Sequence, residues 1–407
     1  DAAVFPSILA QLVQRSRAAP LPLEVKTALS ASLCRGQVHG VQDLDGAVLK
    51  TLTGYPPSKA VRSLCLYFGL VQDRSSRWPS PGLSATEAAR ALHLQVNPFE
   101  LLLAAPAATV LDLGAGDLSF AGELVDHYLS GLVEQQRELV LHAVDRLDPR
   151  SKLGGPLHPG RERIARLQAT PGLHFRFYGN RDMFDLRELD EAGHLAARYT
   201  LVTCWAPATP TFAYEPTRLS GAIIQEDLRR SKGVFRPVRY EGESALEVLH
   251  GERSLIFPSW KFDIRGPAAL LTLMAQRGVI GVLGAVDSQV FWEVLAQLLD
   301  DPRYRPQDQP FNQENLPTVF GDIYRQLIQL KEGDALSLAC LGALRPRLPV
   351  SGSARAAQAT VGFRDVWIRR GAVFPGVPAS STARQFIHMR EESPPWFLTL
   401  VPDDCQS

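Results

Sequence analysis

From about residue 105 the sequence alternates short apolar runs with amphipathic stretches, and this rhythm constrains the fold more than any other feature. ATVLDLG (108–114), ELVLHAVD (138–145), LHFRFYG (173–179) and YTLVTCW (199–205) each read as a strand. Between them lie helical stretches. One runs from Leu118 to about Leu132, with Phe120, Leu124, Tyr128 and Leu132 on one face; RERIARLQ (161–168) is a second. Strands separated by helices must return across the sheet, so they lie parallel with right-handed crossovers.

The flanking regions read differently. Residues 1 to about 95 carry apolar residues at three- and four-residue spacing in FPSILAQLV, LEVKTALSASL and AVRSLCLYFGL, without two-residue alternation. SATEAARAL opens with a capping box, Ser84 to Glu87, and NPFELLL starts a helix at Asn97 and Pro98. An N-terminal helical module over 1–95 and an α/β domain over 96–407 follow from this. After Trp205 a segment rich in Pro and Thr leads into polar, β-prone runs (VFRPVRY, SALEVLH, RSLIFPSWKFDI), which predict hairpins inserted over 206–265. PAALLTLMAQR and SQVFWEVLAQLL then read as helices around a buried strand, GVIGVLGA (278–285). DALSLACLGAL (334–344) and WFLTLVP (396–402) read as late strands, and 345–395 shows no readable pattern.

The first strand ends in a turn, TVLDLGAGDLSF (109–120), with two acids around two glycines. A Gly-x-Gly turn at a strand end lets a ligand approach bare backbone. In dinucleotide-binding folds that ligand is a pyrophosphate on the N-terminus of the next helix. Asp112 and Asp117 would repel phosphate. They suit a ligand bringing ammonium or sulfonium charge.

With Asp112, Gly114 and Gly116 in the pattern (D/E)-x-G-x-G-x-G, the stretch resembles motif I of the class I S-adenosylmethionine-dependent methyltransferases. Leu118 stands where that motif has its third glycine. The resemblance implies a Rossmann-like, seven-stranded α/β methyltransferase sheet, with S-adenosyl-L-methionine as cofactor and Asp112, Gly114, Ala115, Gly116 and Asp117 around its amino-acid end. It implies that the acid closing the second strand, Asp145, beside Arg146, receives the ribose hydroxyls. Asp182 and Met183, after the third strand, would flank adenine. Cys204 and Trp205, closing the fourth, would lie between methyl donor and acceptor. By placement, the helical module resembles the dimerising or substrate-binding modules that precede some O-methyltransferase domains, which implies either a homodimer through these helices or a share in binding the substrate.

The acceptor is not encoded in a motif. Cys204-Trp205-Ala206-Pro207 is neither the (D/N/S)-P-P-(Y/F) of base amino-methylating enzymes nor a Pro-Cys nucleophile. Trp205, Phe212, Tyr214, Tyr240 and Trp260 would wall an acceptor pocket or pack the insertion's own core. Glu215, Lys261 and Asp263 are acid–base candidates or surface charges, and no catalytic base is assigned. His142 and His174 read as satisfied core residues inside strands, His158 and His194 as isolated, and no spacing suggests a metal site.

Charge and cysteine usage set the remaining expectations. Lys plus Arg and Asp plus Glu both count 43, so no global field draws the chain to nucleic acid or an anionic membrane. A basic face could still assemble from Arg229, Arg230, Lys232, Arg236 and Arg239. Five scattered cysteines form no disulfide framework or zinc cluster. No membrane-length apolar run is present, so a cytoplasmic setting is expected; the absence of Met at Asp1 leaves open a removed leader. A small-molecule acceptor stands ahead of RNA or protein. The alternatives are a catalytically inactive methyltransferase-like subunit and an NAD-dependent oxidoreductase.

Overall fold

The computed structural model describes residues 4–34, 38, 40–70, 98–151, 154–181, 183, 186–205, 234–240, 243–250, 253–258, 265–285, 288–299, 304, 314–331, 334–338, 347–349, 360–370 and 396–403. The first stretches form four helices: α1 (Val4–Ala18), α2 (Leu23–Leu33), α3 (Gly46–Thr53) and α4 (Pro57–Tyr67). Their apolar stripes close on a core of their own, with Ile8, Leu12, Leu29, Leu49, Val61 and Leu64 fully buried. Local chemistry sets the helix ends. Asp45 Oδ1 accepts from the Val48 amide at 3.1 Å to start α3, and Gly54, at φ +79°, ends it in the left-handed region.

The remaining described chain is built on one large sheet. Its strands are β1 (Ala108–Leu113), β2 (Leu139–Val144), β3 (Leu173–Tyr178), β4 (Tyr199–Cys204), β8 (Gly278–Ala285), β9 (Ala335–Ser337), β10 (Arg347–Pro349), β11 (Thr360–Arg370) and β12 (Trp396–Pro402). The spatial order is β3-β2-β1-β4-β8-β12-β11-β10, with β9 also on β11. Strands β3 through β8 in that order are parallel, and β12 runs antiparallel to both neighbours. The intervening β5 (Val234–Tyr240), β6 (Glu243–His250) and β7 (Arg253–Pro258) form a separate antiparallel sheet.

Helices α5 (Leu101–Ala104), α6 (Ser119–Glu134) and α7 (Gly160–Gln168) contribute to the core on one face of the sheet. On the other face lie α8 (Arg187–Glu191), α9 (Arg265–Arg277), α10 (Ser288–Leu299) and α11 (Leu316–Gln329). The strands are apolar on both sides for this reason. Leu111 and Leu113 enter one core while Ala108 and Val110 enter the other. Because β2 and β3 continue to one side of β1 and β4 and β8 to the other, the chain reverses its direction of growth between β1 and β4. The carboxyl ends of strands at such a reversal open a crevice.

The structure departs from the sequence expectations at several places. His174 is exposed, bonded to Glu138 Oε2 at 2.7 Å, because β3 is an edge strand with one open face. Helix α11 and strand β11 have no counterpart among the expected elements. Gly321, at φ +48°, interrupts the helical backbone of α11. In β11 the pairing with β12 shifts register between Phe363 and Asp365, so burial passes from Phe363 to Val366 and Ile368 and the two-residue alternation changes phase. Of 334–344 only 335–337 is strand, and 339–344 lies outside the described residues.

Candidate functional site

The glycine turn leaves β1 at the reversal point. Gly114 (φ +69°), Gly116 (φ +57°) and Leu118 (φ +63°) all lie in the left-handed region. Leu118 therefore keeps the backbone shape that the motif's third glycine would give, at a local cost of roughly 1–2 kcal/mol. Its side chain is fully buried beside Phe120 and Leu124. Above the other two glycines there is room. A Cβ at Gly114 would meet only Met183 Sδ at 3.7 Å, and one at Gly116 only the Gly114 carbonyl at 4.0 Å. Among the described residues, a side chain at either glycine would thus find only ordinary contact.

The amides of the turn are already committed. Gly114 and Ala115 donate to the Val144 carbonyl at 2.9 and 3.1 Å, and Leu118 to the Ala115 carbonyl at 2.9 Å. Gly116 donates to Asp145 Oδ2 at 2.7 Å, and Ser119 to Asp117 Oδ1 at 3.0 Å. The groups that would cradle a pyrophosphate are thus taken by the chain's own acceptors. Two of those acceptors are carboxylates.

Asp112 is buried at the end of β1, where its Oδ1 accepts from Thr203 Oγ1 at 2.8 Å. The bond crosses the switch point, since Asp112 and Thr203 are register partners on β1 and β4. Asp145 follows β2. Its Oδ1 accepts from the Leu147 amide at 2.8 Å, and each oxygen keeps lone-pair capacity for a further donor such as a sugar hydroxyl. Burial pushes its carboxyl up, opposed by those two amides, Lys59 and Arg146. Burial also brings the Arg146 guanidinium down to about 10, against the pull of Asp145.

Asp117 plays a structural part. Burial favours its neutral form, yet Arg163 Nη1, 3.3 Å from Oδ2, and the Ser119 amide hold it ionised with a pKa of about 2. Arg163 also donates to the Asp117 carbonyl at 2.8 Å, tying α7 to the start of α6. Met183 reaches the turn, while Asp182 lies outside the described residues.

A bare-backbone turn beside carboxylates, a strand-end acid on the next strand, and a reversed strand, β12, between β8 and β11 of a sheet of nine strands rather than the expected seven separate this sheet from an all-parallel dinucleotide fold. The described strands form a Rossmann-like α/β sheet with the reversed strand expected of a class I methyltransferase sheet.

No protein-family model matches the chain, and no curated protein is significantly similar to it. Among solved structures, a cyclopropane-fatty-acyl-phospholipid synthase-like protein from Lactobacillus casei aligns at 13% identity and TM-score 0.28, over 82% of this chain and 96% of that one. A magnesium protoporphyrin IX methyltransferase from Synechocystis aligns at 11% identity and TM-score 0.21, over 61% and 79%. A sugar N-methyltransferase from Streptoalloteichus aligns at 15% identity and TM-score 0.18, over 48% and 85%. The fold assignment rests on the sheet and the turn.

Within this fold, two residues expected at the cofactor face the core instead. Cys204 is fully buried among Leu113, Val202 and Leu283, and burial raises its thiol far above the ordinary range. Strand alternation explains this: Thr203 points to Asp112, so Cys204 points to the opposite face. Trp205 stacks on Phe99 at 5.8 Å and packs on Phe120 at 5.0 Å and Phe397 at 6.2 Å. Its ring and carbonyl come close to the Cα of Gly284, where a Cβ would meet them at 2.6 and 2.8 Å. Trp205 is a keystone between β4, β8, β12 and α6. Phe212, Tyr214, Glu215, Trp260, Lys261 and Asp263 lie outside the described residues, as does the side chain of Tyr240.

His142 is satisfied by the Tyr199 hydroxyl at 2.7 Å, and burial, Arg176 and His194 lower its pKa to about 4. Sequence reasoning missed the residues that reach the site from the helical module. Tyr55 follows α3, and its ring lies 4.6 Å from that of His158, which is itself buried and not isolated. Asp117, Asp145 and Arg163 all act electrostatically on the Tyr55 hydroxyl. No local pattern marks a contact between residues this far apart in sequence. Among the described residues no group of His, Cys, Asp and Glu could hold a metal ion.

Proposed function

We propose that the chain is an enzyme that transfers a methyl group from S-adenosyl-L-methionine to a small-molecule acceptor. The observation that carries this reading is the commitment of the turn amides. With Gly116 and Ser119 bonded to Asp145 and Asp117, the helix start offers negative charge where a dinucleotide would bring phosphate. A ligand with a cationic amino-acid end and an uncharged nucleoside fits that surface. Asp112, held by Thr203, would face the ammonium, and Asp145 would accept from the ribose hydroxyls.

The cofactor would supply an electrophilic methyl on sulfonium. The chain's own residues then need only align donor and acceptor and keep water out. The acceptor preference follows from charge. The chain is neutral overall, and Arg236, from the basic run near the insertion, is paired with Glu247. Among the described residues no helix is long and apolar enough to cross a membrane.

Isothermal titration with S-adenosylhomocysteine and, in parallel, NADH tests the reading. Binding of the thioether in the micromolar range with no NADH binding is expected. The converse would replace it with an oxidoreductase. Thioether binding without methyl transfer to any member of a broad acceptor panel would favour the inactive, methyltransferase-like subunit.

A further inference from the structure

The helical module does more than pack beside the sheet. The Leu157 amide, in the loop that follows Asp145, donates to the Leu52 carbonyl at the end of α3 at 2.8 Å. Leu157 is fully buried and belongs to the core of the helical module. Gly155, at φ +72°, lies so close that a Cβ there would sit 2.4 Å from the Leu52 carbonyl oxygen and 2.7 Å from that of Thr51. The loop from the sugar acid and the end of α3 are therefore clamped backbone to backbone.

The clamp presents the next residues of each segment to one another. On the loop, His158 is 1% exposed. Its Nδ1 accepts from the Gly160 amide at 3.0 Å, so in the neutral ring the hydrogen resides on Nε2, which has no hydrogen-bond partner among the described residues. On the module, Tyr55 covers the His158 ring, and Lys59 Nζ lies 5.9 Å from the Tyr55 ring centroid. Lys59 in turn favours the ionised form of Asp145. The clamp thus sets two donor side chains of the module, Tyr55 and Lys59, against the loop that follows Asp145, within electrostatic reach of a carboxylate that itself offers only acceptors.

A sugar cis-diol needs both kinds of partner. Its hydroxyl hydrogens suit a carboxylate, and its oxygens then suit donors from the opposite side. We propose that the helical module completes the sugar site: Tyr55 Oη and Lys59 Nζ donate to the hydroxyl oxygens of the nucleoside whose hydrogens Asp145 receives. His158 is a positioning residue that fixes the Tyr55 ring. The inference rests on the cofactor reading above and assigns to the helices a share in binding.

The test is calorimetry with two probes, S-adenosylhomocysteine and its 2′,3′-dideoxy analogue, on wild type, Tyr55→Phe, Lys59→Gln and Asp145→Asn. Thermal melts confirm that the variants fold. Tyr55→Phe keeps the ring on His158, and Lys59 is exposed, so neither change should unfold the module. Each should weaken the full thioether about 5- to 30-fold, the value of one hydrogen bond to a polar or charged partner, and leave the dideoxy probe within twofold. Equal weakening of both probes, or of neither, would overturn the inference while Asp145→Asn still discriminated between them, leaving the cofactor reading intact. No thioether binding by wild type would overturn both.

Discussion

The Gly116 amide donates to Asp145 Oδ2 across 2.7 Å, joining the turn after the first strand to the acid after the second. A single hydrogen bond thus sets the spacing between the part of the site read as holding an amino acid and the part read as holding a sugar. Burial raises the Asp145 carboxyl above its ordinary value, so the ionised form needed to accept from hydroxyls is less secure than for a surface aspartate.

From this follows a pH dependence. Thioether affinity should be flat near neutrality and fall on acidification as Asp145 takes up a proton, beginning above the usual carboxylate range. Titrations between pH 4 and pH 8 would show it, and Asp145→Asn should abolish this slope together with at least tenfold in affinity. A wild-type profile unchanged by that substitution would contradict the assignment.

Thr203→Val removes the donor that holds Asp112. A hydrogen bond to a charged group contributes about 1.5–3 kcal/mol, and its loss leaves a buried carboxylate with one partner fewer. The variant should unfold at lower urea concentration and bind the thioether about tenfold more weakly. Thr203→Ser should recover most of both.

At position 118 the usual ranking of alanine above glycine in and near helices should disappear. Both Leu118→Ala and Leu118→Gly lose a buried side chain, at a cost of about 2–5 kcal/mol. Only glycine also relieves the left-handed backbone, by roughly 1–2 kcal/mol. Denaturant midpoints should place the glycine variant level with or above the alanine variant. The reverse order would show that φ +63° carries no strain.

Asp117 and Arg163 make a separate prediction about stability in acid. The Asp117 carboxyl is lowered in the folded chain to about 2, from the ordinary value of 3.8. Its contribution, about 2 kcal/mol by linkage, is present in full above pH 4 and is lost as pH falls towards 2. Asp117→Asn should lower the unfolding free energy at pH 7 by that order and converge with wild type near pH 2. A constant difference across this range would assign the cost to packing instead.

The sequence displays β1, β2 and β4 because strands covered on both faces leave near-continuous apolar runs, and β3 because its open face leaves a two-residue alternation; a strand-end acid such as Asp145 is found by counting from them. Strand β11 hides because its bulge at 363–365 changes the phase of an alternation that is otherwise present. Helix α11 hides behind Gly321, although Leu316, Phe320, Ile323 and Leu327 keep a helical stripe. Cys204 and Trp205 attract a cofactor role by position at a strand end, and position does not say which face a side chain takes. Tyr55 and His158 carry no signal until the backbone clamp at Leu52 and Leu157 brings them together.

The reversed strand β12 has a consequence for how the molecule is made. It fills the slot between β8 and β11, yet it is drawn from residues 396–402, translated after every other strand of that sheet. Until it arrives, β8 displays an open row of amides and carbonyls along a fully apolar ribbon, an invitation to foreign strands. The nascent chain therefore has to be shielded, or to delay closing its sheet, until residues 396–402 have been made.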